Sequence, residues 1–145
     1  MKITDALLGE HGAFYALFDR IESRLGSDPG SAGPLAELLA AALLPHARIE
    51  NDHLFAALEP TMGPAGPLAV MRAEHDEIEG AVNRAASEAD AEVARGLLLH
   101  AISVAREHFA KEEQVLFPMA TQALGEDKLE ELGRVWAGER GVRLA

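Results

Sequence analysis

The sequence predicts an all-α fold: an up-down-up-down four-helix bundle with a short C-terminal fifth helix. Three observations lead there. Apolar residues recur at helical spacing in four long segments. Short runs rich in glycine and proline separate those segments, and no stretch shows the alternation of a strand. The second half of the chain also repeats the first as a helical hairpin, and two hairpins with short connections make a bundle.

The first helix covers Asp5 to Leu25, where Leu7, Leu8, Phe14, Leu17, Phe18, Ile21 and Leu25 form the apolar side. GSDPGSAG, residues 26–33, is a loop. Pro34 suits the first turn of the second helix, where its missing N–H has no intrahelical partner to lose. Pro60 should stop that helix, and Pro45 should kink it just before His46. PTMGPAG, residues 60–66, is the second loop. The third helix runs from about Pro67 to Ala86. Asp90 is the expected N-cap of the fourth, which reaches about Leu124 with a distortion near Pro118. Asp127 and Glu130 have capping-box spacing for a fifth helix ending near Gly138.

A chain of 145 residues is one domain by length: a bundle over about 5–124 and an extension over 125–145. The net charge of −11 argues against nucleic acid and anionic membranes as partners. With no cysteine, disulfides, thiolate catalysis and Cys-based zinc or iron–sulfur sites are excluded. No apolar run has the length of a signal peptide or a membrane span, so the expected location is cytoplasmic. No nucleophile stands beside a base and no phosphate-binding loop is present, so no catalytic residue is assigned.

The chemistry lies in the repeat. HARIENDHLFA (46–56) and HFAKEEQVLFP (108–118) each carry His-x-x-x-Glu followed by Leu-Phe. EHGAFYALFDRI (10–21) and EHDEIEGAVNRA (74–85) each open with Glu-His. Each hairpin therefore offers a lone histidine on its first helix, His11 or His75. Its second helix offers an i, i+4 pair, His46/Glu50 or His108/Glu112. A buried carboxylate without a counter-charge costs several kcal/mol. A pair of cations beneath the stripe supplies that charge. Imidazole and carboxylate ligation without thiolate suits iron, with zinc and manganese also compatible.

In His11, HARIE (46–50), HDEIE (75–79) and HFAKE (108–112) running into VLFP (115–118), the chain resembles the hemerythrin-like, or HHE cation-binding, domain. The resemblance covers about residues 5–124. It implies two iron ions (Fe2+/Fe3+) joined by an oxo or hydroxo bridge. His11 and His46 would hold one iron, and His75, Glu79 and His108 the other, with Glu50 and Glu112 bridging. Oxygen-carrying members have a second histidine where Glu79 stands and an aspartate where Glu113 stands. The internal repeat favours Glu112 over Glu113 as the ligand. These departures resemble the branch that senses iron or oxygen, or handles nitric oxide or peroxide. The expected partner is a small diatomic or peroxide ligand. A di-iron enzyme consuming peroxide or nitric oxide is the alternative function, and a metal-free helical interaction bundle a further one.

Tyr15 is the repeat mate of Glu79, four residues after a lone histidine. Three roles stay open for it: core residue, hydrogen-bond donor at an open position of the His11–His46 iron, or phenolate ligand. His53 is expected beside the site or partly exposed, and His100 away from it. Glu10, Glu74 and Glu107 each precede a histidine, and on the helix they point elsewhere, so they are expected in solvent.

Overall fold

The computed structural model describes residues 1–145. Helix α1 is Ile3–Ser27, followed by a single 3-10 turn at Pro29–Ser31. Helix α2 is Ala32–Ile49, continuing through a π-helical turn at Glu50–Phe55 into Ala56–Met62. Helix α3 is Pro67–Ser87. Helix α4 is Ala91–Lys111, continuing through a second π turn at Glu112–Leu116 into Phe117–Arg140. That last stretch is broken at Gly125, whose φ of 74° and ψ of 169° are non-helical. Residues 126–140 are therefore a separate helix, α5.

The ends follow local chemistry. Asp90 accepts from the backbone N–H groups of Glu92 and Val93, as an N-cap should. Gly63 ends α2 with a positive φ of 78°. Two proline expectations are corrected. Helix α2 runs on through Pro45 and through Pro60, and its irregularity falls between them, at Glu50–Phe55. A helical proline leaves the carbonyl four residues earlier without its donor. Those residues, Ala41 and Ala56, are exposed, so water can serve both carbonyls. The distortion expected near Pro118 is the second π turn, just upstream. No helix is long and apolar enough to cross a membrane.

The core has two halves. One gathers Phe14, Phe18, Leu39, Leu43, Ile78, Leu98 and Phe109. The other gathers Leu7, Ile49, Phe55, Met71, Leu116, Leu129 and Leu132. Four histidines separate them. His11 lies between Leu7 and Phe14, His46 between Leu43 and Ile49, and His75 between Met71 and Ile78. His108 comes after Ala105 and before Leu116. Each of α1 to α4 thus carries one histidine in an apolar stripe, and packing brings the four to one level.

Candidate metal centre

His46 and Glu50 share a face of α2, and His108 and Glu112 share a face of α4, as i, i+4 spacing requires. Both π turns begin at the glutamate. A π turn puts more residues into one revolution and so reduces the angle between neighbours. Glu50 and Asn51, and likewise Glu112 and Glu113, can then both work near the site.

Each buried glutamate faces two histidines, one from each half of the repeat. Glu50 places Oε1 at 3.1 Å from His46 Nε2 and Oε2 at 3.1 Å from His75 Nε2. Glu112 places Oε2 at 3.3 Å from His11 Nε2 and Oε1 at 3.2 Å from His108 Nε2. Two overlapping clusters result: His11, His46, Glu50 and Glu112, and Glu50, His75, His108 and Glu112. In each, the ligand atoms lie within 4.8 Å of one another. Both carboxylates are common to both clusters, which is a bridging arrangement.

All four Nε2 atoms and all four carboxylate oxygens are buried without a hydrogen-bond partner. Buried polar atoms are nearly always paired, so eight orphans around one point need another species. Two divalent cations fit that donor set. Without a cation, protons compensate the carboxylates. Burial alone would lower the pKa of His11, but Glu112 and Glu50 outweigh it and raise it to about 9. Burial likewise opposes the charge on His46, yet Glu50 and Glu10 raise its pKa to about 10. His108 is raised against burial by Glu112. Burial would raise Glu50, but His46 and the other imidazoles hold it well below the usual carboxylate range.

The outer nitrogens are all held. His46 Nδ1–H donates to Glu10 at 2.6 Å and His108 Nδ1–H to Glu74 at 2.8 Å. His11 Nδ1–H donates to Glu113 at 2.9 Å and His75 Nδ1–H to the Asn51 side-chain oxygen Oδ1 at 3.1 Å. Placing the proton on Nδ1 leaves the Nε2 lone pair aimed inward, the tautomer a metal needs. The pairing obeys the repeat: Glu-His serves its own hairpin, and the residue after the buried glutamate serves the other.

The family model for the hemerythrin HHE cation binding domain matches residues 2–131. The chain belongs to that family. No curated protein and no solved structure matches it. Membership and geometry agree that this is a metal-binding helical domain of hemerythrin type.

Six of the seven expected ligands converge. Glu79 belongs to neither cluster; it is exposed, and it stands at the edge of a small cavity. Around the axis of α3 it lies about 60° from the centre of the stripe Leu68–Met71–His75–Ile78–Val82. Tyr15 lies on the matching flank of α1. Its hydroxyl donates to Glu113 at 3.0 Å, the same oxygen that accepts from His11 Nδ1–H. It is thus behind His11, on the side away from the carboxylates. Burial, with Glu113 beside it, raises its phenol to about 12. Of the three roles open for Tyr15, these contacts match the core residue whose hydroxyl reaches a carboxylate. His53 is half-buried and contacts Glu139 at 2.6 Å, away from both clusters, and His100 is exposed beside Glu77. Glu107 is exposed as expected, but Glu10 and Glu74 are not free in solvent. Each diverges from its neighbouring histidine, and for that reason reaches the next helix.

The cavity is lined by Leu43, Leu44, Ala47, Ile78, Glu79 and Phe109, and it ends on His46, His75 and His108. It offers about 20 Å³ to the centre of a water-sized molecule. That admits a water or diatomic molecule and no organic substrate. Aromatic rings pack against two of the histidines. Phe109 stacks on His11 with centroids 3.9 Å apart, and Phe55 stacks on His75 at 5.4 Å.

Proposed function

We propose that this hemerythrin-family domain holds two iron ions between Glu50 and Glu112 and uses them to bind or sense oxygen or a related small oxidant. One observation carries the reading. Both oxygens of each glutamate are buried and unpartnered, and each pair is split between the two sets of histidines. A single ion would leave half of those atoms without a partner. Four imidazoles, two carboxylates and no thiolate favour iron over softer metals. Bound iron would supply redox chemistry and coordination sites for a diatomic or peroxide ligand.

The chain's own residues do the rest. His11 and His46 would hold one ion, and His75 and His108 the other. Glu10, Glu74, Glu113 and Asn51 fix the imidazoles, and Phe109 and Phe55 keep bulk water away. The only cavity that ends on these histidines is small and mostly apolar, which supports a ligand of two or three atoms.

The test is anaerobic loading of metal-free protein with Fe2+, followed by metal analysis and spectra under oxygen, peroxide and nitric oxide. The expected result is two iron ions per chain and a visible band that changes with one of these ligands. One ion per chain, or a spectrum indifferent to all three, overturns the proposal. Sustained turnover of peroxide would make the domain an enzyme rather than a sensor.

A further inference from the structure

The two halves of the repeat hold their histidines in different ways. In the second half, Glu74 accepts from His108 and from Lys111, and Lys111 stands one turn after His108 on the same helix. That clamp is local. In the first half, Glu10 accepts from His46, and its other donors come from the far end of the chain. Trp136 Nε1–H donates to Glu10 Oε1 at 2.8 Å, and Arg140 Nε–H donates to the same oxygen at 2.7 Å. Arg140 also reaches Oε2 at 3.3 Å, the oxygen that accepts from His46.

Helix α5 is firmly seated for this task. Leu129 and Leu132 are buried in the lower half of the core. Gly133 rests on the N-terminal backbone so closely that a Cβ would collide with the Met1 carbonyl. Lys2 pairs with Glu126 at 2.6 Å, and His53 pairs with Glu139 at 2.6 Å. The second of these ties α5 to the π turn that begins at Glu50.

We propose that α5 belongs to the metal centre. Trp136 and Arg140 are positioning residues that hold Glu10 on His46, and so the C-terminal segment sets how tightly the His11–His46 side binds its ion. The proposal rests on the metal reading above. The physical reason is that a ligating imidazole needs its outer N–H anchored, and loss of such a partner costs about 10- to 100-fold in metal affinity. Glu10 can anchor His46 only while its carboxylate is held at the right place and its charge is compensated. The donors that do both lie on α5. Conversely, loss of the Trp136 and Arg140 donors acts on His46 through Glu10, whereas the clamp of Glu74 and Lys111 on His108 uses neither.

The experiment is titration of metal-free protein with Co2+, read by visible absorption, with the fluorescence of Trp136 followed in parallel. Trp136 is the only tryptophan, so its signal is unambiguous. The variants are Trp136→Phe, Arg140→Gln, their combination, Glu10→Gln and Glu10→Gln/Arg140→Gln. Arg134→Gln, which removes an exposed charge from α5, is the control. Trp136→Phe keeps most of the ring packing, and Arg140 lies in the last turn, so the helix survives both changes.

The combined variant should weaken one of two Co2+ equivalents by about 10- to 100-fold and leave the other unchanged. Glu10→Gln should do the same, and adding Arg140→Gln to it should cost nothing more, because the two act through one contact. Wild-type tryptophan fluorescence should change as ions bind, and in Glu10→Gln it should not. Two undiminished equivalents in the combined variant overturn the proposal and leave the metal reading intact. So do equal losses in Arg134→Gln, or additive losses with Glu10→Gln. A wild type that takes up no ion overturns both.

Discussion

Protons and metal ions compete for the same imidazoles, and the size of that competition follows from the geometry. His11 and His46 have pKa values raised to about 9 and about 10. Both are therefore protonated at neutral pH, and Nε2 must lose its proton before it can ligate. Filling the site at pH 7 should release at least two protons. Apparent affinity should then rise about 100-fold per pH unit, tenfold for each proton, and the slope should flatten as pH passes about 9. A non-oxidising probe such as Co2+ or Zn2+, titrated at several values between pH 6 and 8, reads this directly. Proton release can be counted with an indicator dye in weak buffer.

Stability should respond with the opposite sign in the metal-free protein. The two histidines lie above their ordinary 6.5, so their contribution is complete below that value and is lost as pH rises through about 9 and 10. Glu50 lies below its ordinary 4.5, so its contribution is present above that value and is lost as pH falls through its folded-state value. Metal-free protein should be most stable between those ordinary values. It should lose on the order of 5 kcal/mol toward pH 10, less than two independent shifts would give because both protons lean on the same carboxylates. Loaded protein should show no such alkaline loss. Urea unfolding at pH 6 and pH 9.5, with chelator and with metal, makes the comparison. Metal-free stability equal at both values, together with a binding slope near zero, would refute the reasoning.

Three further outcomes follow from the site. Glu50→Ala should abolish binding of both ions in metal analysis, because its two oxygens face different clusters; a full complement would mean that Glu50 does not bridge. Glu79→Gln should retain two ions with a similar spectrum, since Glu79 stands outside both clusters; loss of one ion would show that it swings inward to ligate. Tyr15→Phe should leave the resting spectrum unchanged and cost about 1 kcal/mol in urea unfolding, the worth of one hydrogen bond to Glu113; loss of a visible band would make the phenol a ligand after all.

The six convergent histidines and glutamates were legible in the sequence because helix geometry is local. An i, i+4 pair faces one way whatever surrounds it, and a repeated hairpin sets two such pairs opposite each other. The four long helices were legible for the same reason, with apolar spacing marking their faces and Gly/Pro runs marking their ends. Everything that depends on the angle of one helix to another had to wait for the packing. Glu10 and Glu74 were expected in solvent because each diverges from the histidine beside it. That divergence is real, but it carries each carboxylate across to the next helix, where it grips His46 or His108. Glu79 and Tyr15 sit four residues after a lone histidine, as a ligand might, yet both fall on the flank of their stripes. A few tens of degrees about the helix axis decide between ligand and rim, and only the packed neighbours fix that rotation. The grip of Trp136 and Arg140 on Glu10 spans 126 and 130 residues of chain. No periodicity reaches that far: the end of α4 near Leu124 and a short helix after it were legible, with Gly125 supplying the positive φ, but where that helix docks was decided by packing.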